Sequence, residues 1–279
     1  MENEDNQRNK VSSQLGLAGT FNEVVERYDR MRPSYVKEVY QDIFSYMNAG
    51  QADSQKTALE IGIGTGQATQ PILDAGYFVT AVELGDKIAQ FAAKKFARYD
   101  NFEVYNTTFE EFEAEENTFD LIYSATAFHW IPEETGYTKV FKMLKPGGVF
   151  ARFANRPSSD KGRPELADAI QKLYETYMPG NKGKKKMEPG YVETQAKHLA
   201  KLGENYGFVD VAYRLYQRTR DFTADEYVEL LGTYSDHNAL EDHVREAFWR
   251  DMRDVINQFG GVITVYDVID LQLYRKPVL

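Results

Sequence analysis

Three features of the 279-residue sequence could do chemistry. The first is Leu59-Glu60-Ile61-Gly62-Ile63-Gly64-Thr65-Gly66, in which alternate glycines follow a β-type run. Glycines at that spacing permit a tight turn and let a ligand approach the backbone with no Cβ in the way. A helix read immediately after them would add unpaired amide donors. The second is Glu83, twenty-one residues beyond Gly62 and at the end of the next β-type run. A carboxylate placed there accepts hydrogen bonds from a ribose diol. The third is His129, just past the run that begins at Phe119. Its imidazole is either a general base for a hydroxyl or amine, or a structural group bonding a neighbouring loop, with Trp130 as core packing.

Other chemistries are excluded or disfavoured by the same residues. A phosphate-binding P-loop needs Gly-Lys-Ser/Thr, whereas Gly66 is followed by Gln67 and Ala68. A dinucleotide fingerprint needs Gly-x-Gly-x-x-Gly, and here the third glycine comes one residue early. With no cysteine, the chain has no disulfide, thiolate metal site or cysteine nucleophile. His237 and His243, with Asp236 and Asp242, match no standard metal-ligand spacing. Lys182, Lys184, Lys185 and Lys186 read as a solvated loop rather than a grip for an anion.

Elements that could position these groups are legible as periodicity. β-type runs at Thr57–Ile61, Tyr77–Val82, Phe102–Tyr105, Phe119–Tyr123 and Val149–Phe153 alternate with helical patterns such as Ile88, Phe91, Ala92 and Phe96. That alternation predicts an α/β fold with a doubly wound, mostly parallel sheet covered by helices on both faces. Upstream, Pro33 is expected to open a helix carrying Val36, Val39, Tyr40, Ile43, Phe44 and Met47 on one face. Downstream, Pro164 should start a helix with Leu166, Ile170, Leu173, Tyr174 and Tyr177. Thr223-Ala-Asp-Glu226 has the spacing of a capping box. A longer helix from about Leu240 should stop at Gly260-Gly261, between strands at Phe208–Leu215 and Val262–Tyr274.

Taken in order, Glu60-x-Gly62-x-Gly64-x-Gly66, Glu83, Phe119–Trp130 and Leu144-Lys-Pro-Gly-Gly148 resemble the class I S-adenosylmethionine-dependent methyltransferases. The nearest likeness is to the broad small-molecule group that includes the trans-aconitate methyltransferases. It runs motif by motif from about Phe21 to Phe153. The resemblance implies a Rossmann-like sheet of seven strands with the last antiparallel, and S-adenosyl-L-methionine as cofactor with S-adenosyl-L-homocysteine as product. It implies that Glu60 and the glycine turn hold the methionine end, that Glu83 holds the ribose, and that Leu84 packs on the adenine. Thr108 and Phe109 would lie against the adenine ring; many similar proteins have Asp where this chain has Thr108. Ser124, Ala125 and Thr126 would face the sulfonium. Tyr28 and Arg32, in Glu26-Arg-Tyr-Asp-Arg-Met-Arg-Pro-Ser-Tyr35, would lie near the cofactor carboxylate, with Arg27 and Arg30 as competitors.

The expected organisation is a flexible tail at 1–16 and N-terminal helices with the cofactor-binding core at 17–157. A helical cap insertion at 158–204 and the remainder of the core at 205–279 follow. That cap would lie over the site, with Gly180–Gly190 as a mobile segment. Thirty-three basic against forty-three acidic residues give a net charge of −10, which disfavours nucleic acid and anionic membrane as partners. The polar N-terminus is no secretory signal and no run suits a membrane span, so the expected location is cytoplasmic. The expected activity is methyl transfer to a small-molecule acceptor. The alternatives are a nicotinamide-dependent oxidoreductase and a non-catalytic S-adenosylmethionine-binding regulator. Neither the acceptor nor the oligomeric state is legible in the sequence.

Overall fold

The computed structural model describes residues 25–47, 56–158, 162–179 and 193–278. The expected tail at 1–16, the lysine run and the Gly180–Gly190 segment lie outside them. Seven strands form one sheet in the order β3-β2-β1-β4-β5-β7-β6. They are β1 Thr57–Ile61, β2 Phe78–Glu83, β3 Phe102–Asn106, β4 Phe119–Ala125, β5 Leu144–Ser158, β6 Val209–Thr223 and β7 Val262–Arg275. Strands β1 to β5 pair in parallel. Lys276 exchanges backbone bonds with Gly147 and Gly148, and Ser158 Oγ donates to the Tyr266 carbonyl, so β7 runs against β5. β1 and β4 are buried almost throughout, as central parallel strands must be, whereas β3 at the edge is partly exposed.

Among the described residues the helices are α1 Val25–Met31, α2 Lys37–Met47, α3 Gln70–Asp74, α4 Asp86–Lys95 and α5 Glu133–Met143. They continue as α6 Pro164–Tyr177, α7 Glu193–Leu202, α8 Ala224–Leu231, α9 Ser235–Asn238 and α10 Asp242–Gln258. The described residues fall into two compact units whose boundaries along the chain are Arg32/Pro33, Asn155/Arg156, Tyr216/Gln217 and Val268/Ile269, so β5, β6 and β7 contribute to both.

The first unit holds α1, α6, α8, α9 and α10. Phe248, Met252 and Ile256 recur at helical spacing along α10 and are fully buried among Leu166 and Ile170 of α6 and Val228 and Leu231 of α8. The expected capping box closes in full: Thr223 Oγ1 accepts from the Glu226 amide, and Glu226 accepts from the Thr223 amide. Asp267, with no exposed side-chain surface, accepts from both Arg218 and Arg220.

The second unit holds α2 to α5, α7 and the parallel strands. One of its clusters packs Val39, Tyr40, Ile43 and Met47 of α2 against Val79, Tyr123 and Phe153. The other packs Tyr137 and Val140 of α5 against Ile122, Phe150 and Tyr274.

Three local expectations are corrected. Pro33 does not open α2, which starts four residues later at Lys37; Arg32 to Val36 form an irregular stretch. No helix begins at the glycine turn either, because the chain makes further turns before the five-residue α3, which carries Pro71 near its start. Strands β5 and β6 are also several residues longer than their apolar cores, at fifteen residues each. Pairing extends them through polar positions that periodicity alone excludes.

Candidate functional site

The parallel register brings the C-terminal ends of four strands level. Ile61 lies opposite Val82, Glu83 opposite Asn106, and Ala125 opposite Phe153. Open α/β sheets bind ligands at this edge. Within the second unit, therefore, Glu60, Gly62, Gly64, Gly66, Glu83, Leu84, Thr108, Phe109, Ser124, Ala125, Thr126 and His129 are all on β1–β4 ends or the segments directly after them. Tyr28 and Arg32 belong to the first unit.

Gly62 and Gly66 adopt left-handed backbone, at φ of 72° and 84°. A Cβ on Gly62 would stand 2.4 Å from the Ala127 Cβ, and one on Gly66 would stand 2.2 Å from the Phe96 ring. Both the conformation and the close approach demand glycine here. Glu83 ties the turn to β2: its Oε2 accepts from the Gly64 amide and its Oε1 from the Gly85 amide, each at 2.9 Å. Burial raises its pKa and these amide bonds oppose the rise. A carboxylate has about four lone-pair sites, so its backbone partners leave it capacity for a hydroxyl donor.

Glu60 is fully buried. Its Oε2 accepts from Thr69 Oγ1 at 2.7 Å and from the Tyr123 hydroxyl at 2.8 Å, while Oε1 has no partner. Burial pushes its pKa up to about 8, against the pull of those two bonds. A carboxyl with one orphaned oxygen two residues before the glycine turn suits a cationic donor such as an amino-acid ammonium. Glu60 and Glu83 together thus fit a ligand that carries an ammonium at one end and a ribose diol further along.

The remaining expected residues have varied surroundings. Leu84, directly after Glu83, is an exposed apolar side chain. Thr108 accepts from the Glu111 amide and is half-buried, while Phe109 is buried in the α5-side cluster. Ser124 donates to the Ile61 carbonyl at 2.9 Å, which ties β4 to β1. Ala125 and Thr126 are half-buried, and Thr126 is left-handed at φ 59°. For a β-branched residue that conformation costs on the order of 1–3 kcal/mol and is found chiefly at functional sites. His129 is exposed, and its ring lies 5.1 Å from that of Trp130. In the first unit, the Arg32 guanidinium lies over the rings of Tyr28 and Tyr234, at 5.0 and 4.0 Å. It donates to the Thr233 carbonyl, and its Nε is buried without a partner.

Several contributors escape sequence reasoning. Asn106 holds the turn after β2 by donating to the carbonyls of Glu83 and Leu84, and Lys95 donates to the Thr65 carbonyl in the glycine turn. Tyr123, which reads as a plain strand aromatic, is a partner of Glu60. Alternation marks none of these, because their partners sit on neighbouring strands and helices.

A doubly wound sheet with a three-glycine turn after β1 and a carboxylate ending β2 defines an α/β protein that binds an adenosine-type ligand. Residues 58–148 match the methyltransferase domain family. A methyltransferase of Schizosaccharomyces pombe, itself uncharacterised, is 23% identical over 244 residues, covering 86% of this chain and 88% of its own. The fold matches the YcgJ protein of Bacillus subtilis at a TM-score of 0.51 and 14% identity, over 85% of this chain and 99% of that one. It also matches Haemonchus contortus phosphoethanolamine N-methyltransferase 2, solved with S-adenosyl-L-methionine, at a TM-score of 0.51 and 14% identity, over 92% of this chain and 57% of that one. The matched residues 58–148 are a methyltransferase domain with S-adenosyl-L-methionine as its cofactor.

Proposed function

We propose that the enzyme methylates a small-molecule acceptor by in-line transfer, with the cofactor seated on the Gly62–Gly66 turn. The observation that carries the seating is the pair of carboxyls flanking that turn, one buried with an orphaned oxygen and one holding two backbone amides. In this reading Glu60 receives the cofactor ammonium, Glu83 the ribose hydroxyls, and Leu84, Thr108 and Phe109 the adenine. Ser124, Ala125 and Thr126 border the reacting methyl. Arg32, beside Tyr28, is the proposed partner of the cofactor carboxylate, by its chemistry and the sequence resemblance. When bound, the cofactor supplies an electrophilic methyl on a sulfonium that leaves as a neutral thioether.

What the chain itself must add is alignment and exclusion of water. His129 is the proposed general base for an acceptor that ionises only on attack, while a carboxylate acceptor needs none. The small-molecule reading is supported by the net charge of −10, which opposes nucleic acid. It is supported too by the helical first unit, which has its own core and lies wholly outside the matched residues 58–148. We assign acceptor choice to the N-terminal helices and to residues 158–204. The test is a transfer assay with methyl-labelled cofactor against panels of small carboxylic acids, amines and phenols, with protein and RNA as comparators. Label appearing only in protein or RNA would overturn the small-molecule reading.

A further inference from the structure

The left-handed Thr126 needs something to hold it, and the second unit supplies three bonds to this one residue. Its amide donates to the Phe153 carbonyl at 2.8 Å, and its Oγ1 accepts from the Asn155 amide at 3.2 Å. The same Oγ1 shares a 2.6 Å hydrogen bond with the Tyr35 hydroxyl. The Tyr35 ring in turn stands edge-on to Phe153, 4.7 Å between centroids, which fixes where that hydroxyl points. Two of the three bonds come from the backbone of β5. The third comes from a side chain in the irregular stretch before α2, 91 residues away in sequence.

The consequence reaches the cofactor turn through the next residue. Ala127 occupies the space that a side chain on Gly62 would fill, with its Cβ 2.4 Å from the position of such a Cβ. Any shift of the Thr126 backbone toward an ordinary conformation swings Ala127, and Ala127 has no slack against Gly62. We infer that Tyr35 is a positioning residue for cofactor binding: its hydroxyl holds Thr126 left-handed and so seats Ala127 against the glycine turn. The inference rests on the cofactor's seat on that turn. It gives Tyr35 a role that acts through Thr126 and Ala127 and requires no contact with the ligand.

The experiment is a double-mutant cycle read by calorimetric binding of S-adenosyl-L-homocysteine to the full chain. Tyr35→Phe keeps the ring against Phe153 and removes only the hydroxyl, and should weaken binding about tenfold with a melting temperature near wild type. Thr126→Gly removes the bonded oxygen and adopts the left-handed conformation freely. On that background the Tyr35→Phe change should alter affinity less than about twofold. Amide exchange supplies a second readout, with Thr126 and Ala127 exchanging faster in Tyr35→Phe while the interior of β4 keeps its protection. An equal loss of affinity on both backgrounds would show that Tyr35 acts elsewhere, and an unchanged affinity in folded Tyr35→Phe would overturn the inference. Wild-type protein that fails to bind the ligand would sink the proposed seat as well, which separates that failure from the other two.

Discussion

Around the glycine turn of the second unit, partners are close in sequence or lie on adjoining strands. Glu83 takes the amides of Gly64 and Gly85, and Glu60 takes Thr69 and Tyr123. In the first unit, polar groups find partners across long stretches of chain. Arg32 reaches Thr233, 201 residues on, Tyr174 shares a hydrogen bond with His237, and Tyr177 donates to Asp251. One region is therefore organised by backbone geometry that a short motif encodes. The other is organised by packing that exists only once α6, α8 and α10 have met. The first kind of region should respond to substitution in ligand affinity, the second in global stability.

The largest expected effect lies in the first unit. Phe248 is fully buried beside Tyr174 and Tyr177. Phe248→Ala should lower unfolding free energy by about 3–5 kcal/mol in denaturant melts. At a temperature where the variant is folded, its affinity for S-adenosyl-L-homocysteine should be little changed. A variant that keeps its stability and loses ligand binding would reverse the contrast.

Glu60 gives the second unit a pH signature. Its folded pKa of about 8 lies above the ordinary 4.5. Below pH 4.5 both folded and unfolded chains hold the proton and its contribution is fully present. From there to pH 8 only the unfolded chain releases it, so stability falls as pH rises and levels off above. The fall should be on the order of a few kcal/mol. Glu60→Gln mimics the protonated carboxyl and should flatten that part of the profile; identical wild-type and variant slopes would dismiss the effect. Ligand should bind wild-type protein with release of a proton at pH 7, since an ammonium partner favours the carboxylate. Calorimetry in buffers of different ionisation enthalpy reads that proton directly.

Glu83→Ala should weaken S-adenosyl-L-homocysteine binding by about 1.5–3 kcal/mol, through the lost ribose bonds and the freed Gly64 amide. Unaltered affinity in the folded variant would remove Glu83 from the site. The smallest effect belongs to the first unit again: Thr223→Ala breaks the capping box and should cost about 1 kcal/mol of stability. Ligand affinity is the control that should not move.

The strands β1 to β4, the capping box and the Gly260-Gly261 stop were legible in sequence, because each depends on side-chain alternation or on a conformation few residues tolerate. Glu83 was legible by spacing alone, since a strand, a turn, a short helix and the next strand consume a nearly fixed length of chain. The start of α2 was not, because proline at Pro33 is as compatible with an irregular stretch as with a first helical turn. Nor were the extensions of β5 and β6, where pairing with β7 overrides a polar sequence.

The sequence by itself determined where the backbone must bend to the left at Gly62, Gly64 and Gly66 and where a carboxylate must end β2, for those properties reside in single residues and short intervals. Only the tertiary structure decided that Glu60 is buried beside Tyr123, that Asn106 and Lys95 brace the turns, and that Thr126 is held left-handed with Tyr35 on its hydroxyl. Burial and partnership depend on which strands lie side by side. The order β3-β2-β1-β4-β5-β7-β6 is set by crossovers and packing over the whole chain, which no local window of residues contains.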